Sequence, residues 1–229
     1  MIIIGHRGAK GLVGENTLAS LQKALEYKLD AIEIDVRITK DGVPVLNHNP
    51  YIINDISHEF MVSHHTYARL KKQVPDLATL KEAVETINRK VPLLVEVKPG
   101  EPVTPIVRVL EQFLRRGWKA TDFQFCSFSP GALLELNKSL PAVRKIVNDR
   151  WSGIRASWRA RQLGTKHISL NSRFLWGGFI KFMSRCGFEV YTYALNDPGK
   201  ARKWEKHGLA GVITDFPDRF VKRYHEVSE

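Results

Sequence analysis

Short apolar, β-branched runs alternate with segments of helical spacing along almost the whole chain. That alternation constrains the fold most, because strand–helix–strand units lay consecutive strands parallel, with helices crossing over between them. The runs fall at 2–5, 31–36, 92–97, 123–127, 143–147, 167–170, 188–193 and 211–214. Helical spacing covers 17–28, 79–88, 103–116, 130–139, 174–186 and 197–207, and in the first of these Leu18, Leu21, Ala24 and Leu25 share a face. Gly117, Gly187 and Gly208 stand where helix C-caps are expected. No Gly/Ser-rich linker or low-complexity stretch divides the chain, so residues 1–229 read as a single domain.

One interval breaks the alternation. After the run 31–36 comes Thr39-Lys40-Asp41-Gly42, then a second extended run, Val43-Pro44-Val45-Leu46-Asn47. Asp-Gly is a hairpin signal, and so short a gap cannot hold a crossover helix. The two runs are therefore expected to pair antiparallel. With this return arm set aside, eight parallel strands remain, which predicts a closed (β/α)8 TIM barrel with a β-hairpin excursion after the second strand. An open doubly wound sheet is the alternative. If 36–38 pairs with 42–44, residues 47–48 fold back toward 32–34, and His48 comes near Glu33 and Asp35.

The strand ends carry unusual residues. Glu33 and Asp35 alternate along strand two and share a face, while Ile32, Ile34 and Val36 face the other way. Two carboxylates on the inward face of a barrel are costly to bury as anions without counter-charge. A divalent cation with oxygen ligands, Mg²⁺ or Ca²⁺, answers that cost. Glu96 and Lys98 repeat the pattern on the next parallel strand, so Glu96 reads either as a third ligand or as the partner of Lys98 in a salt bridge. His6-Arg7-Gly8 ends the first strand. Two histidines, His6 and His48, beside acids and the cations Arg7 and Lys98, form the set that phosphodiester cleavage requires. One group takes a proton from the nucleophile, another gives one to the leaving oxygen, and positive charge meets the phosphate.

These residues resemble the glycerophosphodiester phosphodiesterases, a family of phospholipase C-like TIM barrels. The resemblance rests on His6-Arg7-Gly8, Glu15-Asn16-Thr17, Glu33-x-Asp35-Val36, Thr39-x-Asp41-Gly42, His48 and Glu96-x-Lys98. It continues through Ser127-Phe128, Asn196-Asp197 and Thr214-Asp215-x-Pro217. It implies metal-dependent hydrolysis of glycerophosphodiesters to sn-glycerol 3-phosphate and an alcohol. By the same resemblance Glu33, Asp35 and Glu96 are metal ligands, His6 and His48 the acid–base pair, Arg7 and Lys98 phosphate contacts, and Tyr193 a substrate-pocket residue. The sequence departs from the family at Asn49, where Asp is usual, at Tyr193, where Trp is usual, and at Gly14, where Pro is usual. Asn49 keeps a hydrogen bond to the neighbouring histidine and drops a charge, a change expected either to lower the histidine's proton affinity or to alter the metal preference.

Composition sets the remaining expectations. Lys and Arg number 35 against 24 Asp and Glu, a formal charge of +11 that favours anionic partners. Residues 144–161 interleave Arg144, Lys145, Arg150, Arg155, Arg159 and Arg161 with Trp151 and Trp158. They read as a solvated helix whose tryptophans pack on the barrel. The alternative is a lipid-facing surface with peripheral membrane contact, which suits a lysophospholipase D-like enzyme acting on lysolipids. The charge alone would allow a nucleic-acid-binding module, but the catalytic set argues against it and no nucleic acid is expected. Two cysteines exclude a disulfide framework, and the N-terminal residues carry no basic segment leading into a long apolar run, so a cytoplasmic setting is expected.

Overall fold

The computed structural model describes residues 1–54 and 56–225. In chain order, β1 (Ile2–Gly5) leads through α1 (Leu18–Leu25) to β2 (Ala31–Ile38) and its return arm β3 (Pro44–Leu46). A short antiparallel pair follows, β4 (Tyr51–Ile53) and β5 (Glu59–Met61), then helices α2 (Tyr67–Gln73) and α3 (Leu80–Ile87). From there strand and helix alternate: β6 (Leu93–Val97), α4 (Thr104–Arg115), β7 (Phe123–Ser127), α5 (Pro130–Ser139), β8 (Arg144–Asp149) and α6 (Gly153–Gln162). The last units are β9 (His167–Asn171), α7 (Gly177–Arg185), β10 (Glu189–Tyr193), α8 (Pro198–Glu205), β11 (Leu209–Thr214) and α9 (Pro217–His225).

β1 pairs in parallel with both β2 and β11, so the sheet closes on itself. The eight parallel strands β1, β2 and β6–β11 form a (β/α)8 barrel, and the open doubly wound alternative is overturned. β3 pairs antiparallel on β2, outside the closed ring, as the Asp-Gly signal predicts. The alternation in the strands builds two cores. Ile32, Ile34 and Val36 are fully buried against the helix layer. Ile4, Ala31, Leu94, Cys126, Ile146, Tyr191 and Ile213 fill the barrel interior. Each large aliphatic buried there contributes about 2 kcal/mol. Large and small residues interlock in that interior: a Cβ at Gly211 would come within 2.7 Å of the Tyr191 ring.

Helix ends follow local chemistry. The Thr17 side chain accepts the amide of Ser20 and starts α1, and Thr79 with Glu82 forms a capping box at α3. Gly117, Gly187 and Gly208 adopt positive φ just beyond α4, α7 and α8, where C-caps are expected. The region 144–161 departs from the sequence expectation. Its first residues are β8 and the rest open α6, and the tryptophans do not pack on the barrel, since Trp151 is 64% and Trp158 61% exposed. The inward face of α6 is instead taken by Ala156 and Ala160, which leaves no depth for an indole. Among the described residues, no helix is long and apolar enough to cross a membrane.

Candidate active site

Glu33, Asp35 and Glu96 meet inside the C-terminal mouth of the barrel. Asp35 stands in register with Glu96 across β2 and β6, and the three side chains offer oxygens within 4.8 Å of one another. All are buried, Glu33 at 2% and Asp35 at 1% exposure. The turn after β1 closes over them: Arg7 at φ 50° and Gly8 at φ +84° bend the chain so that the Arg7 amide donates to Glu33 Oε2 at 2.8 Å. The Gly8 amide donates to the Glu33 carbonyl at 3.1 Å. Asn16 forms a reciprocal pair with Asp35. Its Nδ2 donates to Asp35 Oδ2 and its Oδ1 accepts the Asp35 amide, both at 3.0 Å. Asn148 Nδ2 donates to Glu96 Oε2 at 3.1 Å.

The electrostatics of this cluster are strained. Burial, then repulsion from Asp35 and Glu96, push the Glu33 carboxyl well above the usual range. Burial also raises Glu96, against the opposing pull of Lys98. Asp35 is pushed up by burial too, but Lys98 and Arg7 bring it down to about 2. Lys98 Nζ lies 2.5 Å from Asp35 Oδ1 and also contacts Glu96 Oε1, so it serves two of the three acids and leaves Glu33 without a full counter-charge. Arg7 Nε sits 2.9 Å from Asp35 Oδ2 yet has no aligned hydrogen-bond acceptor, although it is buried. A buried set of hard oxygen donors with surplus negative charge suits a small divalent cation, and an unsatisfied guanidinium N–H suits a phosphate oxygen.

Two histidines flank the acids. His6 Nδ1 is 2.6 Å from Asp215 Oδ1, at the end of β11. Asn196 Nδ2 donates to the other Asp215 oxygen at 2.8 Å. Burial pushes the Asp215 carboxyl up, but the bonds from His6 and Asn196 bring it down to about 2. His48 follows the return arm, and its Nδ1 is 2.9 Å from Asn49 Oδ1. The register Val36 to Leu46 sets Asn47 opposite Asp35, its amide donating to the Asp35 carbonyl at 3.1 Å. The arm is thus slid along β2 from the sequence expectation, because the turn is closed by Thr39 and Val43 and pairing starts at Ile38 and Pro44. Burial, then Lys98 and Arg7, lower the His48 imidazole from its ordinary 6.5.

The pocket above the acids, about 250 Å³, is lined by His6, Arg7, Glu33, His48, Glu96 and Lys98, together with Phe128, Asn148, Arg150 and Tyr193. The structure therefore brings seven of the eight sequence-derived residues, with Asp35 beneath them as the eighth, to one place. The Tyr193 hydroxyl donates to the Asp149 carbonyl at 3.2 Å, and its ring meets Phe128 edge-on. Sequence reasoning missed four positioning residues. Asp215 and Asn196 lie in motifs with no role assigned, and Asn16 lies in the Glu-Asn-Thr motif at the start of α1, where either Asn16 or Thr17 could serve as the cap and Thr17 does. Asn148 lies on a strand with no polar alternation to mark it. The one available signal for Asn16 is its place in that motif.

A profile of the glycerophosphoryl diester phosphodiesterase family matches residues 6–219. A glycerophosphodiester phosphodiesterase of Caldanaerobacter subterraneus is 27% identical over 242 residues, covering 96% of this chain and 96% of that protein. An Oleispira antarctica phosphodiesterase, solved with the product sn-glycerol-3-phosphate, superposes with a TM-score of 0.86 at 26% identity, over 100% of this chain and 97% of that one. A Thermotoga maritima glycerophosphodiester phosphodiesterase shares the fold at a TM-score of 0.78 and 24% identity, over 97% of this chain and 98% of its own.

Proposed function

The chain belongs to the glycerophosphoryl diester phosphodiesterase family, and from that premise we propose that it hydrolyses glycerophosphodiesters to sn-glycerol 3-phosphate and an alcohol, with a divalent metal as cofactor. The observation that carries this reading is the buried triad Glu33, Asp35 and Glu96, set between two histidines and two cations in one pocket. Residues 1–229 act as one catalytic domain. Glu33, Asp35 and Glu96 would hold Mg²⁺ or Ca²⁺, which when bound supplies positive charge to the phosphate oxygens. Arg7 lines the pocket and brings its guanidinium charge to the same phosphate, and Lys98 adds a second positive charge there.

The proton steps belong to the histidines. A new P–O bond forms from water, or first from the substrate's free hydroxyl to give a cyclic phosphate that water then opens to glycerol 3-phosphate; in each attack the nucleophile's proton passes to one imidazole. The bond from phosphorus to the leaving alkoxide breaks, and the other imidazole protonates it. Each ring is held through Nδ1, by Asp215 or Asn49, which leaves Nε2 for these transfers. Tyr193 and Phe128 form the apolar wall of the pocket. The two cysteines are unpaired, Cys126 buried and Cys186 exposed, which supports a reducing, cytoplasmic setting.

The test is release of glycerol 3-phosphate from glycerophosphocholine and glycerophosphoethanolamine with Mg²⁺, with Ca²⁺ and with chelator. Metal-dependent release is expected, and no release from any glycerophosphodiester with either metal would overturn the reading. Glu33→Ala and His48→Ala should each abolish turnover in a folded protein; activity kept in both would overturn the residue roles.

A second reading has an observation of its own. Trp151, Phe174 and Trp176 are exposed beside the mouth, Trp158 is exposed on α6, and Arg150 and Arg155 line the neighbouring cavities. Aromatics interleaved with arginines suit an anionic lipid surface, and hence a lysophospholipase D-like action on lysolipids. Sedimentation with anionic vesicles, weakened by salt and by the double change Trp158→Ala with Trp176→Ala, would support it. Absence of binding at low salt would remove it.

A further inference from the structure

The pocket over the acids opens sideways into a second cleft of about 460 Å³. His48, Glu96, Lys98, Phe128, Asn148 and Arg150 line both. A diester seated with its phosphorus over the acids therefore has room to extend one of its two alcohols into the cleft.

The far wall of that cleft is built on one buried carboxylate. Asp149, at the end of β8, accepts the amides of Trp151 and Ser152, both at 2.9 Å. It also grips Arg155 through two bonds of 2.7 and 2.8 Å, and Arg159 lies 3.4 Å away. These bonds neutralise Asp149 and fix two guanidinium groups along the wall. Arg37, which also lines the cleft, is paired with Glu101 at 3.0 Å. Arg150 differs from all of these, because among the described residues it has no hydrogen-bond or ion-pair partner, yet it lines both cavities.

The charge count of the cleft follows. Its acids are Glu96 and Asp149, the first committed to the triad and the second to two arginines. Its cations are Arg37, Lys98, Arg150, Arg155 and Arg159, of which Arg37 is paired with Glu101 and Lys98 with Asp35, so the surplus over all these acids is one positive charge. An ammonium group on the departing alcohol would meet that surplus with no free carboxylate to receive it. An anionic group there would find the unpaired Arg150 guanidinium, a planar fork matched to phosphate.

We infer that this cleft is a leaving-group subsite for alcohols that carry a second anionic group, a phosphate on a polyol above all, and that Arg150 is its selecting residue. The inference rests on the phosphodiesterase reading for its chemistry and on the cleft alone for its binding. It makes the preferred substrates glycerophosphodiesters of phosphorylated polyols, ahead of those of choline or ethanolamine.

Calorimetry on the full chain with Mg²⁺ and saturating sn-glycerol 3-phosphate tests the binding, with myo-inositol 4-phosphate and myo-inositol as probes. The phosphorylated alcohol should bind at least about tenfold more tightly, the effect of one charge-assisted hydrogen bond. That advantage should shrink between about 0.05 and 0.3 M salt and fall below about threefold in Arg150→Gln. Equal affinities, or an advantage that Arg150→Gln leaves intact, would overturn the inference. In turnover, kcat/KM for glycerophosphoinositol 4-phosphate should exceed that for glycerophosphoinositol, with glycerophosphocholine lowest; the reverse order would also overturn it. A binding preference without hydrolysis of any diester would uphold the subsite and overturn the phosphodiesterase reading instead.

Discussion

His6 and Asp215 stand 209 positions apart in the chain and 2.6 Å apart in space, one at the end of the first barrel strand and one just past the last. The contact fixes the Nδ1 side of the imidazole, so the ring's orientation depends on a residue that never reaches the phosphate pocket's lining. Asp215→Asn keeps the shape and removes the charge. We expect kcat/KM to fall by about 10²- to 10⁴-fold, because the carboxylate holds the tautomer and orientation of a proton-transferring histidine, with binding of product little changed. Steady-state kinetics beside a product titration checks this; equal losses in both would show a structural collapse.

Asn49 faces the other histidine with an amide oxygen. The His48 imidazole is lowered from 6.5 by burial and then by Lys98 and Arg7. A carboxylate at the same place would stabilise its protonated form, so Asn49→Asp should move one limb of the pH–rate profile upward and leave the other in place. The limb that moves identifies whether His48 takes the proton or gives it. A profile with neither limb displaced would show that His48 titrates outside the catalytic cycle.

Glu33 carries the clearest linkage between the metal site and stability. Its carboxyl is raised by burial and then by Asp35 and Glu96. A group raised in the folded state contributes stability below its unfolded value of 4.5, and that contribution is lost as pH rises through the folded value. The chelated protein should therefore lose thermal stability from mildly acidic pH upward, and Glu33→Gln should flatten the loss. Adding Mg²⁺ or Ca²⁺ should restore the wild type and leave Glu33→Gln unmoved. Melting temperatures across pH, with and without metal, check both halves.

Gly8 makes the first turn of the site. Its φ is +84°, and a Cβ there would lie 2.4 Å from Ser20 Oγ and 2.7 Å from the Ser20 backbone. Gly8→Ala combines left-handed strain with overpacking, a cost of about 3 kcal/mol. For a chain of this size that corresponds to a fall in Tm of roughly 6–12 °C. Activity should fall as well, because the same turn aims the Arg7 amide at Glu33. Calorimetry and turnover on one preparation would show whether the two losses arise together.

The barrel was legible because eight runs repeat one local pattern: a parallel strand covered by helices outside and by packed side chains inside reads as a near-continuous apolar run. Glu33, Asp35, Glu96 and Lys98 stood out for the same reason, as charges on the inward face of such runs. The short strands Tyr51–Ile53 and Glu59–Met61 and the helix Tyr67–Gln73 left no trace, since strands of 3 residues and a helix of 7 are too short to show a period. They hold together through a small core of Val45, Ile52, Val62, Leu70 and Leu77, which only tertiary contact defines. Trp151 and Trp158 are exposed against the sequence expectation, because the inward face of α6 is taken by Ala156 and Ala160, and an indole reads as core from composition alone. Asn16 and Asn148 were hidden because an asparagine beside a carboxylate is a matter of geometry, not of spacing.

The acids and the His6 couple are assembled by different parts of the ring. Glu33, Asp35 and Glu96 sit on two strands that are immediate neighbours, whereas His6 and Asp215 face each other across the seam where the first strand meets the last. A chain that has laid down only its first strands already possesses the carboxylates, but its proton-transfer machinery waits for the ends to join. In refolding, the capacity to take up a cation should return before turnover does, and the delay between them times the closing of the ring.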